Sequence, residues 1–201
     1  MKLPEWYDPA QDLMLTPSRL RGLVHPLRLK LLSLLQEDGP ATATSLAAQI
    51  GQSSGVASYH LRVLAEHGFV VEDVERGNDR DRWWRAVHRS TSFTFRMPED
   101  PADEGNIEDA ERFLRARAEE AYQRMVAYID TVTARREDLT DLPWQFGRWP
   151  LRLTQSQARD VTEQIQALLV PYRRHPGDPD PREGTERAVF QFQLLPDEGA
   201  Q

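Results

Sequence analysis

TSLAAQIGQSSGVASYHLRVLAEHG, residues 44–68, holds two helical stripes separated by an abrupt stop. Thr44 or Ser45 can cap a helix that carries Leu46, Ala47 and Ile50 on one face, and Gly51 supplies the left-handed turn that ends it. Ser53 follows at once as a second cap. The next helix presents Ala57, Leu61 and Leu64 at steps of four and three until Gly68 stops it. The expectation for this stretch is helix, tight turn, helix.

Upstream, Leu20, Leu23, Leu27, Leu31, Leu34 and Leu35 recur at helical steps, and Pro26 divides them into a short helix and a longer one that Gly39-Pro40 ends. Downstream, Phe69-Val70-Val71 and the run Arg82 to Val87 flank a polar turn at Arg76-Gly77-Asn78-Asp79, the pattern of a β-hairpin. A helix-turn-helix followed by a hairpin is a winged helix. Phe93 and Phe95 suggest a third strand, and residues 97–105, MPEDPADEG, read as a linker.

A second module follows. Asn106 and Asp109 make a capping-box-like start, and 107–136 runs without Gly or Pro. Ile107, Ala110, Leu114, Ala118, Ala121, Met125, Tyr128 or Ile129, and Val132 form its apolar stripe, which Phe113, Tyr122 and Val126 widen. A helix of roughly 30 residues is about 45 Å long, more than one small domain covers, so its spare face is expected to meet the same helix of a second copy. Beyond it, Leu151-Arg152-Leu153 reads as a strand. Thr154 and Gln157 read as a capping box, Ala158 to Tyr172 as a helix, and Phe190, Phe192 and Leu194 as a second strand in a parallel pair.

The expected fold is thus mainly α with small β. Residues 1–15 form an N-terminal arm and 16–96 a winged helix-turn-helix domain; after the linker, 106–201 supply a long dimerisation helix and a small α+β module.

The pieces His25-Pro26-Leu27-Arg28 and Ser58-Tyr59-His60-Leu61-Arg62-Val63-Leu64, in this order of elements over about 75 residues, resemble the ArsR family of winged-helix repressors. The resemblance implies a sequence-specific, dimeric DNA-binding transcription regulator, acting as a repressor on an inverted-repeat operator; the acidic, aromatic start MKLPEWYDPAQDL, unlike a signal peptide, adds the expectation of a cytoplasmic protein. The residues support it independently. With Ala57, Leu61 and Leu64 facing the core, Ser54, Gly55, Ser58, Tyr59 and Arg62 face outward beside the cap Ser53, an array of hydrogen-bonding groups, a bare glycine and one Arg suited to base edges and phosphates. Arg76, Arg80 and Arg82 surround the hairpin turn, where a wing meets phosphates, although Asp79 and Asp81 offset them.

The net charge of −7 argues against a nucleic-acid partner until it is divided along the chain. Residues 16–96 hold 11 Lys and Arg against 8 Asp and Glu, whereas 97–201 hold 13 against 21. The front half is basic. The absence of cysteine excludes disulfides, thiolate metal sites and a cysteine nucleophile. His25, His60 and His67 read as structural rather than ligating, and the helix over 107–136 has no histidine, so the metal sensing for which the family is named does not carry over. No cofactor, metal or catalytic residue is expected, and no run of 18 apolar residues signals a membrane span.

Two alternatives stay open. A winged helix can serve as a protein-interaction module without DNA, its acidic second half docking a partner. The aromatic residues Phe93, Phe95, Trp144, Trp149, Phe190 and Phe192 either line a pocket for a small organic effector or fill the core of the C-terminal module.

Overall fold

The computed structural model describes residues 7–77, 81–93, 107–134, 147–173 and 188–195, apart from the side chains of Pro17 and Ser18. Leucine spacing in its first third sets the core. β1 (Asp12–Leu15) leads through the one-turn α1 (Pro17–Leu20) to α2 (Pro26–Glu37), which Pro26 opens at a position where a missing N–H costs nothing. α2 buries Leu29, Leu31, Leu32 and Leu35, while Leu27 and Leu34 of the expected stripe are half-buried. The buried face is broad because α2 packs against the two helices and the sheet that follow it.

The short strand β2 (Ala41–Thr42) feeds directly into α3 (Ala43–Ile50). The cap of α3 is Thr42, not Thr44 or Ser45: its extended backbone sets its hydroxyl to accept the Ser45 N–H at 3.1 Å. Gly51, with φ of 65°, then reverses the chain into α4 (Ser54–Glu66), and Gly68, with φ of 74°, follows its end. β3 (Val70–Glu72) and β4 (Trp83–Ala86) form the expected hairpin, pairing Val70 with Ala86 and Glu72 with Trp84. On its other side β4 takes β2, so the sheet order is β2-β4-β3, antiparallel throughout. Leu46, Ala47, Ala57, Leu61, Leu64, Phe69, Val70 and Trp84 close the core beneath it.

A second small sheet joins the ends of this region. β5 (Ser90–Phe93) runs parallel to β1, from Asp12 beside Ser90 to Leu15 beside Phe93. Residues 12–15, read from the sequence as part of an arm, are therefore a strand whose Leu13 and Leu15 are buried. Asp12, only 3% exposed, accepts from Arg89 Nε at 3.0 Å, from Ser90 Oγ at 2.8 Å and from the Asp8 N–H at 3.1 Å.

The chain divides into two compact units, one over Asp8–Glu120 with Arg174–Pro179, the other over Met1–Tyr7, Ala121–Arg173 and Asp180–Gln201. α5 (Ile107–Ala134) begins in the former and ends in the latter. In the first unit Ala110, Phe113 and Ala116 are buried, with the Phe113 ring edge-on to Phe93 at 5.6 Å. The charged face of α5 is laced by Arg112–Glu108, Arg115–Glu111 and Arg117–Glu120 pairs, each a small aid to a long helix. Its remaining apolar stripe, Ile107, Leu114, Ala118, Tyr122, Met125 and Ile129, is exposed.

The second unit contains α6 (Gln155–Leu169), opened by the expected capping box of Thr154 and Gln157 and closed by a 3-10 turn at Val170–Tyr172. The parallel strand pair expected beside it is not formed: residues 151–154 and 188–195 have neither helix nor strand geometry. Alternating leucines and phenylalanines specify a strand only when one face is buried, and Leu151 and Phe190 are exposed. No described helix is long and apolar enough to cross a membrane.

Candidate nucleic-acid interface

α4 has two chemically distinct sides. Ala57, Leu61 and Leu64 are fully buried, and they hold the helix against α2 and α3. Ser53 starts it, its hydroxyl accepting the Val56 N–H at 3.3 Å. On the other side Ser53, Ser54, Gly55, Tyr59 and Arg62 are exposed and Ser58 is half-buried, so every outward residue expected on this helix is brought to one surface. A Cβ at Gly55 would meet nothing closer than Ser53 Oγ at 3.9 Å. Among the described residues nothing demands a glycine there. Arg62 has no ion pair among the described residues, leaving its planar fork of donors available.

The wing differs from the expectation in detail. Arg76 pairs with Asp73 at 3.5 Å, and Arg82 pairs with Glu72 at 3.2 Å while lying 6.0 Å above the Trp84 ring. Both arginines are half-neutralised within the hairpin, though both remain exposed enough to exchange partners. Arg80 lies outside the described residues. Arg85, which the sequence reading passed over, is exposed on β4 next to buried Trp84. Strand alternation around Trp84 was the signal that would have found it.

Behind the outward face, the α4 flank is built from aromatic nitrogen rings. His60 is only 8% exposed, its ring 4.4 Å from that of His25 and 5.2 Å from that of Tyr59, the latter edge-on. His25 caps α2 by accepting the Leu27 N–H on Nδ1 at 3.1 Å. That bond requires Nδ1 to be unprotonated. Burial, and then the charge of Arg28, hold the His25 imidazole below its ordinary range. Burial acts likewise on His60, followed by His25 and Arg28. His67 sits exposed at the end of α4. Among the described residues no group of three or more His, Cys, Asp or Glu is placed to hold a metal ion.

The aromatic set expected to serve an effector is divided between the two units. Phe93 belongs to the first, against Phe113, whereas Trp149, Phe190 and Phe192 belong to the second and are exposed; Phe95 and Trp144 lie outside the described residues.

A two-helix unit with a polar outer helix and an antiparallel hairpin after it is the geometry of a groove reader. Residues 23–73 match the helix-turn-helix domain family model. The chain carries a winged helix-turn-helix domain. Both motifs behind the ArsR resemblance, His25 to Arg28 and Ser58 to Leu64, fall within the matched segment. Among solved structures the chain is similar to a possible transcriptional regulator for arsenical resistance, at 28% identity over 55% of this chain and 94% of that one, with a TM-score of 0.31. It is also similar to the homodimeric winged helix-turn-helix DNA-binding domain of a possible ArsR-family regulator from Mycobacterium bovis, at 19% identity over 64% of this chain and 86% of that one, with a TM-score of 0.31. No relative is found among curated proteins.

Proposed function

We propose that this protein is an ArsR-type transcription regulator that binds duplex DNA as a homodimer and acts as a repressor. The observation that carries the reading is the outer face of α4: Ser54, Gly55, Ser58, Tyr59 and Arg62 over a fully buried apolar back. A helix of this kind fits the major groove, about 12 Å wide, with its N-terminal half nearest the base edges. The exposed stripe of α5 supports the dimer, since large apolar side chains in register along one helix are what a second copy of that helix buries. A two-fold dimer reads an inverted repeat, with half-sites about one helical turn apart.

The finer reading includes a small organic effector in the C-terminal unit. Its support is the exposed rings of Trp149, Phe190 and Phe192, the last two 6.0 Å apart. A metabolite that raises the melting temperature and also alters operator affinity would establish it; failure of every screened metabolite to do both would remove it.

The DNA reading is tested by mobility shift against the DNA upstream of the chain's own gene. Arg62→Ala weakens binding to the specific site by roughly 1–3 kcal/mol and relaxes preference at one base position. Unchanged affinity and preference would refute the assignment of this face.

A further inference from the structure

We propose that Arg28, on α2 rather than in the helix-turn-helix proper, is a further DNA contact that takes a backbone phosphate beside the groove α4 enters. The inference rests on the reading of α4 as the recognition helix.

The start of α2 abuts α4 through the His25–His60 ring pair, and His60 is itself in edge contact with Tyr59. Tyr59 is 61% exposed on the outward face, and Arg28 lies one helical turn beyond His25, its N–H donating to the His25 carbonyl at 3.0 Å. Arg28 therefore stands at the margin of that face. Its own bonding is incomplete. One terminal nitrogen donates to the Arg21 carbonyl at 3.3 Å, Nε is buried without a hydrogen-bond partner, and among the described residues no carboxylate pairs with it. His60 Nδ1 is likewise buried and unpartnered.

A guanidinium drawn partly out of water ordinarily sits against a carboxylate, because its charge and five donors are costly to leave unmatched. Here no described residue supplies the matching anion, and a bound partner can. A phosphodiester meets the requirement: it is anionic, it accepts from two guanidinium nitrogens at once, and the groove-facing helix brings it to this margin. The Arg21 carbonyl engages Nη2 and Nε is enclosed, which leaves the terminal-nitrogen end of the guanidinium for the incoming oxygens.

The test compares Arg28→Gln, Arg28→Lys and Arg62→Ala, as full-length protein, on operator and scrambled duplexes across a salt series. Arg28→Gln is expected to weaken both duplexes alike, roughly tenfold, and to lower the salt slope by about 0.9, the signature of one lost phosphate. Arg28→Lys keeps the slope. With methylphosphonate-substituted operators, neutralising one particular phosphate weakens the unaltered protein and leaves Arg28→Gln unaffected. If Arg28→Gln fails to fold, Arg28→Lys carries the same comparison, because a single-point donor makes interference at that phosphate smaller. A salt slope and interference pattern unchanged in both variants overturns the proposal, as does a loss confined to thermal stability, which would make Arg28 only a brace for Arg21. Sensitivity to inorganic phosphate that disappears in Arg28→Gln with no change on duplexes also overturns it, assigning the site to a free anion. Arg62→Ala separates this from the parent reading: loss of operator preference there with no effect at Arg28 leaves the recognition helix standing and removes only this contact.

Discussion

Asp12→Ala is the substitution that most directly probes how the first unit is tied together. The carboxylate is buried and accepts from Arg89 Nε at 3.0 Å, Arg89 Nη2 at 3.4 Å, Ser90 Oγ at 2.8 Å and the Asp8 N–H at 3.1 Å. Its removal leaves the Arg89 guanidinium, whose side chain is 14% exposed, without its counter-charge. Breaking one side of a buried pair costs about 3–5 kcal/mol, chiefly the penalty of the stranded charge. A domain of this size has roughly 5–15 kcal/mol in total, so the variant should remain folded at low temperature with its urea midpoint sharply reduced. Arg89→Met in the same background relieves the stranded charge, so the double variant is expected to be less destabilised than the sum of the two single ones. Urea unfolding followed by tryptophan fluorescence measures all three. A cost below about 1 kcal/mol for Asp12→Ala would refute the reasoning, since surface pairs are worth no more than that, and β1 would then not be docked on β5 in solution.

Stability should also fall on mild acidification. His25, His60 and His88 are all held below their ordinary value of 6.5, in each case first by burial. The unfolded chain therefore binds more protons near that pH than the folded one, so the contribution is complete above about pH 6.5 and is lost as the pH drops through the folded values. Urea midpoints at pH 7.5 and 5.5 check this, and a His60→Asn variant with an undiminished drop would remove His60 from the account. Gly51→Ala places a Cβ on a left-handed residue, with φ of 65°, and should cost about 1–2 kcal/mol although nothing lies within 4 Å to obstruct it. A thermal midpoint equal to that of the unaltered protein would show that the α3–α4 turn relaxes to another geometry.

The helix-turn-helix was legible because its signals are local. Gly51, Ser53 and Gly68 punctuate the chain within one turn of where the helices stop and start, and the inward positions Ala57, Leu61 and Leu64 repeat with the helical period. The capping box at Thr154 and Gln157 was readable for the same reason. What escaped depends on distant partners. β2 is two residues long, too short to show any period, and exists because β4 offers it an edge. The sequence set Asp79 and Asp81 against Arg76 and Arg82, but the hairpin register, with Glu72 facing Trp84, puts Arg82 diagonally across from Glu72, and the turn returns Arg76 to Asp73. The strands expected at 151–153 and 190–194 failed in the opposite sense: alternation was present and a buried face was not.

β1 is the most consequential of the omissions. Asp12 and Arg89 lie 77 residues apart, and nothing in the spacing of either announces the other. Yet their pairing decides how the wing is anchored. β5 follows the wing strand β4 after three residues, its first pair partner is Asp12, and its last residue, Phe93, lies edge-on to Phe113 of α5. One short segment thus runs from the hairpin that flanks α4 to the helix whose exposed stripe we propose meets a second copy, and β1 clamps that segment along its length. Gln36 of α2 adds a tie by donating to the His88 carbonyl at 3.0 Å. Loosening the clamp should therefore be felt in DNA binding before it is felt in the fold of α4: Leu13 and Leu15 share one core with Ala57, Leu61 and Leu64, but β1 packs chiefly along β5, while α4 is held by α2 and α3. Asp12→Asn keeps the shape of the side chain while removing its charge. It is expected to weaken operator binding under conditions where circular dichroism shows the helices intact, and more strongly on a two-half-site operator than on a single half-site. Equal losses on both would place the effect within one recognition domain and separate β1 from the alignment of the two.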